Sequence, residues 1–199
     1  WEARKIWGAI VNSSRMLGAT TRGYVGNQFT EKDLSDNQLM AIHKKMIYRH
    51  IGWLYALRSQ LLIPTSWEHL RDRGGNAAQK FYEGRAKHFG TEMFGDQVTQ
   101  TGLDLFLPRE EHNKLINYKN TATQILDRQS QELKKLREEN LIDDFRHMEL
   151  QKIVNDFYTH QGKAERIKKF PLPRQYGSMS FIFVSILSPI FRIICGVKF

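Results

Sequence analysis

The chain has 199 residues, 41% hydrophobic and 26% charged, an ordinary globular composition with length for one domain and a real core. A formal charge of +9 sets a prior for anionic partners, nucleic acid or a membrane surface, without selecting one. The single cysteine, Cys195, excludes an intrachain disulfide framework and a cysteine-rich metal site; in its apolar segment it reads as a small buried hydrophobe, and the usage fits a reducing compartment.

The opening Trp1-Glu2-Ala3-Arg4-Lys5-Ile6-Trp7 carries no signal peptide and reads as the middle of a helix, so the expectation is a fragment of a longer protein. Ile6, Trp7, Ile10, Val11 and Leu17 recur near helical spacing and predict one helix over residues 1 to about 20, ending around Gly18 or Gly23. After a loop through Gly23 and Gly26, Asp33 or Ser35 caps a second, long helix with Ile42, Met46, Ile47, Ile51, Leu54, Leu57 and Leu61, and Pro64 stops it. The glycine-punctuated stretch from Thr65 to about Gly102 is irregular, with short helices at Trp67 to Arg71 and Ala77 to His88.

From Pro108-Arg109-Glu110-Glu111 the helical signal returns, the acids sitting at the positive end of the helix dipole. A helix from Thr121 to Glu139 would bury Ile125, Leu126, Leu133 and Leu136 and wet Lys134, Lys135, Arg137, Glu138 and Glu139. Another, from about Asp143 to His160, would turn Phe145, Leu150, Ile153, Val154 and Phe157 inward, with Gly162 permitting a break before an Ile167 to Pro173 turn. No run alternates as a strand would, so the class is all-α, a bundle of long helices.

Ser178 to Val197 carries one charge, Arg192, and is long enough to cross a hydrocarbon core of about 30 Å, although its apolar part before Arg192 also suits a buried core helix. Lys163, Arg166, Lys168, Lys169 and Arg174 lie just upstream against one acid, Glu165, as the border of a cytoplasmic segment requires. The chain therefore divides into a cytosolic helical part, residues 1–177, and the start of a transmembrane helix, residues 178–199.

Chemistry is harder to find. His43 and His50 are seven apart, and no His-Glu-x-x-His or Cys-x-x-Cys spacing occurs, so no metal site is assigned. Arg73-Gly74-Gly75-Asn76 lacks the Gly-Lys-Ser/Thr ending of a phosphate cradle and reads as a loop. Glu138-Glu139 and Asp143-Asp144 read as a solvated face, and no nucleophile, base and orienting acid assemble from spacing; no catalytic residue and no cofactor are assigned. The basic run Lys163 to Phe170 abuts an apolar span and does not form a recognition helix, which argues against nucleic acid as a partner.

Four stretches together resemble bestrophin-like proteins, the prokaryotic relatives of the bestrophin anion channels. They are Trp1 to Lys5 with Trp7-Gly8 and Val11 to Arg15; Tyr48 to Leu54 with Ala56-Leu57-Arg58; Ala122, Ile125-Leu126, Gln129-Ser130, Leu133 and Leu136; and Gln161-Gly162, Glu165-Arg166-Ile167, Pro171-Leu172-Pro173 and Tyr176. Their order and spacing cover most of the chain except roughly residues 65 to 105. The resemblance implies an ion channel, not an enzyme: a homopentamer in the lipid bilayer of a bacterial inner membrane, multi-pass, passing chloride or another small anion through a central pore. It also implies that Trp1 continues a pore-lining membrane helix whose hydrophobic neck precedes it, and that the calcium clasp of animal members would follow Phe199. A second, cytosolic constriction falls by motif at Ile167, with Phe170 as second choice, and gates by size and dewetting; the lesser reading of Ile167 is a core isoleucine at a turn. Arg166, Lys169 and Arg174 would set the electrostatics of the pore mouth. Ala164, where relatives often carry cysteine, and Arg174-Gln175, in place of an apolar or small pair, depart from the pattern, and Arg174 is expected to favour anions. Two alternatives stay open: a cation-conducting relative, and a soluble all-α module that docks on membranes through its basic segment.

Overall fold

The computed structural model describes residues 1–30, 34–62, 103, 105–115, 118, 120–170 and 183–187. Among the described residues five helices carry the fold: α1 (Glu2–Tyr24), α2 (Asp36–Leu62), α3 (Arg109–Leu115), α4 (Thr121–Glu138) and α5 (Asp144–Lys169). No strand occurs among the described residues, in keeping with the all-α expectation.

Local chemistry sets most of the helix ends. Of the two predicted caps, Ser35 precedes α2: its backbone N–H donates to Gln38 Oε1 at 2.9 Å, one half of a capping box; Asp33 lies outside the described residues. The Pro108 carbonyl accepts from the His112 N–H at 2.9 Å as α3 begins, and Asn120 Oδ1 caps α4 by accepting from the Thr123 N–H at 3.0 Å. Helix α4 ends in a Schellman motif, with Leu141 N–H to the Leu136 carbonyl at 2.9 Å and Asn140 N–H to the Arg137 carbonyl at 3.1 Å. Asn140 stands at φ 55°, the left-handed conformation that motif demands and that Asn tolerates. Asp143 Oδ1 then accepts from the Arg146 N–H at 2.7 Å and opens α5.

Cross-helix partners give the topology. Along α2, Lys45, Met46 and Gln60 meet Glu132, Gln129 and Asn120 of α4, so these two helices run antiparallel. His50 and Trp53 meet Phe157 and Gln161, so α5 runs parallel to α2. His43 and His50 meet the Val25 carbonyl and Ser14, which sets α1 antiparallel to α2. Helix α2 is thus the central element, and its Met46, Trp53, Ala56 and Leu57 lie in one core with Ile10 and Leu17 of α1, Ile125 and Leu133 of α4, and Leu150, Val154 and Phe157 of α5. Each fully buried Leu, Ile or Phe contributes about 1.5–3 kcal/mol, so this core outweighs any single polar contact. Arg146 fastens the α1–α2 loop: it donates to the Tyr24 carbonyl at 3.3 Å and to Gln28 Oε1 at 2.7 Å, and its guanidinium lies over the Phe29 ring.

Two sequence expectations fail. Phe145, predicted to face inward, is 82% exposed: it lies about 140° round α5 from Leu150, off the stripe made by Leu150, Ile153, Val154, Phe157 and Gln161. Helix α5 does not stop near His160 but runs through Gly162 to Lys169, so Ile167 lies on a helix and not at a turn. Glycine costs a helix interior about 1 kcal/mol; the hydrogen bonds of Gln161, worth about 1 kcal/mol each, offset that on the adjoining residue.

The chain divides into two compact units, Trp1–Lys168 and Lys169–Phe199. In the second, residues 183–187 form a helical turn whose Phe183, Val184, Ile186 and Leu187 are all exposed. Among the described residues no helix is long and apolar enough to cross a membrane. The rest of the predicted membrane-helix start, 178–199, and the stretch from Thr65 to Gly102 lie outside the described residues, as does Pro64.

Candidate functional site

Of the predicted aperture and mouth residues, Arg166, Ile167 and Lys169 lie at the C-terminal end of α5 and Phe170 follows it. Ile167 is half-buried and packs against the core, while its neighbour Arg166 is exposed. Lys169 is the last helical residue and is exposed; Phe170 follows, 65% exposed. Arg174 lies outside the described residues. Lys163, Arg166, Lys168 and Lys169 place four cations against the single acid Glu165 over the last two turns, where the partial negative charge of the helix end favours them. The basic run thus has a local stabilising reason in the helix end itself.

Beneath this end lies a polar network whose roles the sequence reading did not assign. Trp53 is fully buried and its indole N–H can only donate; it donates to Gln161 Oε1 at 3.0 Å. Gln161, 3% exposed, donates from Nε2 to Thr123 Oγ1 at 2.8 Å and Glu165 Oε1 at 2.8 Å, with Asn120 Oδ1 farther at 3.3 Å. Asn120 Nδ2 also reaches Glu165 Oε1 at 3.2 Å, and Gln60 Nε2 donates to Asn120 Oδ1 at 3.2 Å. One carboxamide therefore joins α2, the start of α4 and the last turns of α5. The available signal was phase: Gln161 continues the stripe of Val154 and Phe157 at helical spacing, so a polar residue had to be buried there.

Two further polar groups fix α2. The Arg49 guanidinium takes Glu111 in two prongs, Nε and Nη2 both at 3.0 Å, and Nη1 reaches Glu132 Oε2 at 3.3 Å. Lys45 Nζ sits 2.7 Å from Glu132 Oε1. Burial pushes the Glu132 carboxyl up, but the Lys45 hydrogen bond and the charges of Arg49, Lys45 and Lys135 outweigh it and hold the carboxyl below its ordinary range. His50 stacks against Trp53 and Phe157 with Nε2 2.9 Å from Ser14 Oγ of α1, and burial lowers its pKa to about 4, so it is neutral at physiological pH. Among the described residues no group of three His, Cys, Asp or Glu side chains is placed to hold a metal ion. Of the acids read as a solvated face, Glu138, Glu139 and Asp144 are exposed, with Asp144 paired to Arg137, whereas Asp143 is half-buried and caps α5.

The arrangement is therefore a helical scaffold with an apolar side chain and a row of cations at one end. No curated protein matches the chain. Among solved structures, a variant of a bacterial bestrophin homologue from Klebsiella pneumoniae superimposes with a TM-score of 0.64 at 16% identity, over 93% of this chain and 53% of that one. Another structure of that homologue gives 0.60 at 17% identity, over 88% and 49%. A structure described as a membrane protein variant gives 0.60 at 17% identity, over 98% and 53%. This chain thus spans about half the length of the proteins it resembles, and at these identities the likeness establishes the shared fold. The sequence itself matches the family model described as "Bacterial/Fungal Bestrophin protein" over residues 1–187, which takes in all four stretches that carried the resemblance and the polar network under Ile167, and the chain belongs to the bestrophin family.

Proposed function

We propose that the chain is the cytosolic helical part of a bestrophin-family ion-channel subunit, five copies of which surround a central pore in a bacterial inner membrane and pass small anions such as chloride passively. The observation that carries this reading is the family match, which runs unbroken through Ile167 and into the apolar segment at 183–187. The exposed apolar turn at 183–187 suits the start of a membrane helix, and the cations before it suit a cytoplasmic border. Trp7 and Val11 are exposed one helical turn apart on α1, which suits burial against another copy. In this reading Ile167 narrows the pore on the cytosolic side by size and dewetting, with Phe170 the second choice, and Arg166, Lys169 and Arg174 make its mouth positive. No metal, cofactor or catalytic step is invoked.

Ion flux tests it. The full-length protein in liposomes should dissipate a chloride gradient, the reversal potential against sodium should name the conducted ion, and Ile167→Ala should change conductance. Absence of flux in a well-folded, reconstituted protein would replace the channel with a module that docks on membranes. An Arg174→Glu channel with unchanged anion-to-cation permeability would remove Arg174 from the mouth.

A further inference from the structure

We propose that Gln161 and Glu165, held by Trp53, Asn120 and Thr123, are positioning residues that set the direction in which Ile167 faces; the proposal rests on the channel reading above. Gly162 sits in the interior of α5, and a Cβ built there would meet nothing within 4 Å. At that point the helix has lost both the propensity of a side chain and any packing from one, so the turns beyond it are held by other contacts. Those contacts are the partial packing of Ala164 and Ile167 against the core and, more directly, the polar network. Gln161 and Glu165 are one helical turn apart on one face, and both are tied to the start of α4: Gln161 Nε2 to Thr123 Oγ1 at 2.8 Å, and Asn120 Nδ2 to Glu165 Oε1 at 3.2 Å. Gln161 Nε2 also donates to Glu165 Oε1 at 2.8 Å, so the two anchors brace one another across Gly162. On the other side Trp53 Nε1 holds Gln161 Oε1 at 3.0 Å from α2.

Two anchors on one stripe fix both the rotation of the helix about its axis and its axial register. Ile167 lies about 120° round the helix from Gln161, so a rotation of the last turns redirects it. Its own partial burial against the core is shallow, because it is only half-buried at the edge of the bundle. The network, more than the packing of Ile167 itself, therefore decides what this side chain presents.

The test uses the full-length protein in liposomes and compares Gln161→Ala, Glu165→Met and Ile167→Ala. The first readout is the permeability of a large over a small ion of the conducted sign, gluconate over chloride or N-methylglucamine over sodium. The second is amide hydrogen exchange over residues 163–168 against residues 150–158. The expected result is that both network variants shift the permeability ratio in the direction of Ile167→Ala and lose protection at 163–168 alone. If Ile167→Ala shifts the ratio and the network variants fold, exchange normally and leave it unchanged, the positioning role is overturned and the aperture stands. If Ile167→Ala leaves the ratio unchanged, the aperture reading falls and the positioning role falls with it. Glu165→Met keeps the length of a partly exposed side chain and removes the oxygen that accepts from Gln161 and Asn120, so it decides the matter should Gln161→Ala fail to assemble.

Discussion

Arg49→Met is the sharpest test of what holds α2 against its neighbours. The Arg49 side chain is 5% exposed and its partners Glu111 and Glu132 are 14% and 11% exposed, so removing the guanidinium strands two carboxylates in a poorly hydrated site. Breaking one side of a buried pair costs about 3–5 kcal/mol. Lys45 remains on Glu132 at 2.7 Å, which places the expected loss at the lower end, about 3 kcal/mol. For a chain of this length that corresponds to a fall in Tm of roughly 6–12 °C, read by tryptophan fluorescence near neutral pH. Adding Glu111→Gln should recover part of the loss, because it removes one of the stranded charges. A loss below about 1 kcal/mol would refute the reasoning, since that is the worth of an exposed pair. The pH dependence has a definite sign. The Glu132 carboxyl is held below its ordinary value, so its contribution is present above the unfolded carboxylate range and disappears as pH falls through the lower folded value. Arg49→Met should flatten that acid limb.

His50 supplies a second pH slope. With the folded pKa near 4 against 6.5 in the unfolded chain, the unfolded state takes up the proton first as pH drops below 6.5. Stability should fall by about 3 kcal/mol in total by pH 4 and be unaffected by this group above pH 6.5; urea titrations of His50→Gln that keep the full slope would assign it to other groups. Gly162→Ala should raise stability by about 0.5–1 kcal/mol in thermal melts, because the site is helical and open, and a loss would contradict that openness. Trp53→Phe keeps an aromatic ring, smaller than the indole, but leaves Gln161 Oε1 without its buried donor, for a loss of at least about 1–3 kcal/mol and faster exchange around Gln161; an unchanged melting curve would show that bond to be dispensable.

How much was legible follows from where each cause resides. Helix α1 could be read from Ile6, Ile10 and Leu17, and α4 from Ile125, Leu126, Leu133 and Leu136, because a 3.6-residue period is a property of the chain itself. The starts at Ser35 and Pro108 could be read for the same reason: a cap is a bond between residues three or four apart. The family was legible in the order and spacing of four stretches that the family model spans. What the sequence did not disclose was decided by partners far along the chain. Phe145 is the exception: it is apolar and near the helical pattern, but its offset of about 140° from Leu150 turns it to solvent, and that offset is already contained in the helical period. Gly162 is a local invitation to stop, and α5 continues because Trp53, 108 residues before Gln161, and Asn120, 45 before Glu165, hold the adjoining turns. Arg49 and Glu132, 83 residues apart, read as two surface charges until antiparallel packing of α2 on α4 buries them together. Local propensity is a free energy of about 1 kcal/mol per residue, and a buried core with satisfied polar partners exceeds it wherever the two disagree.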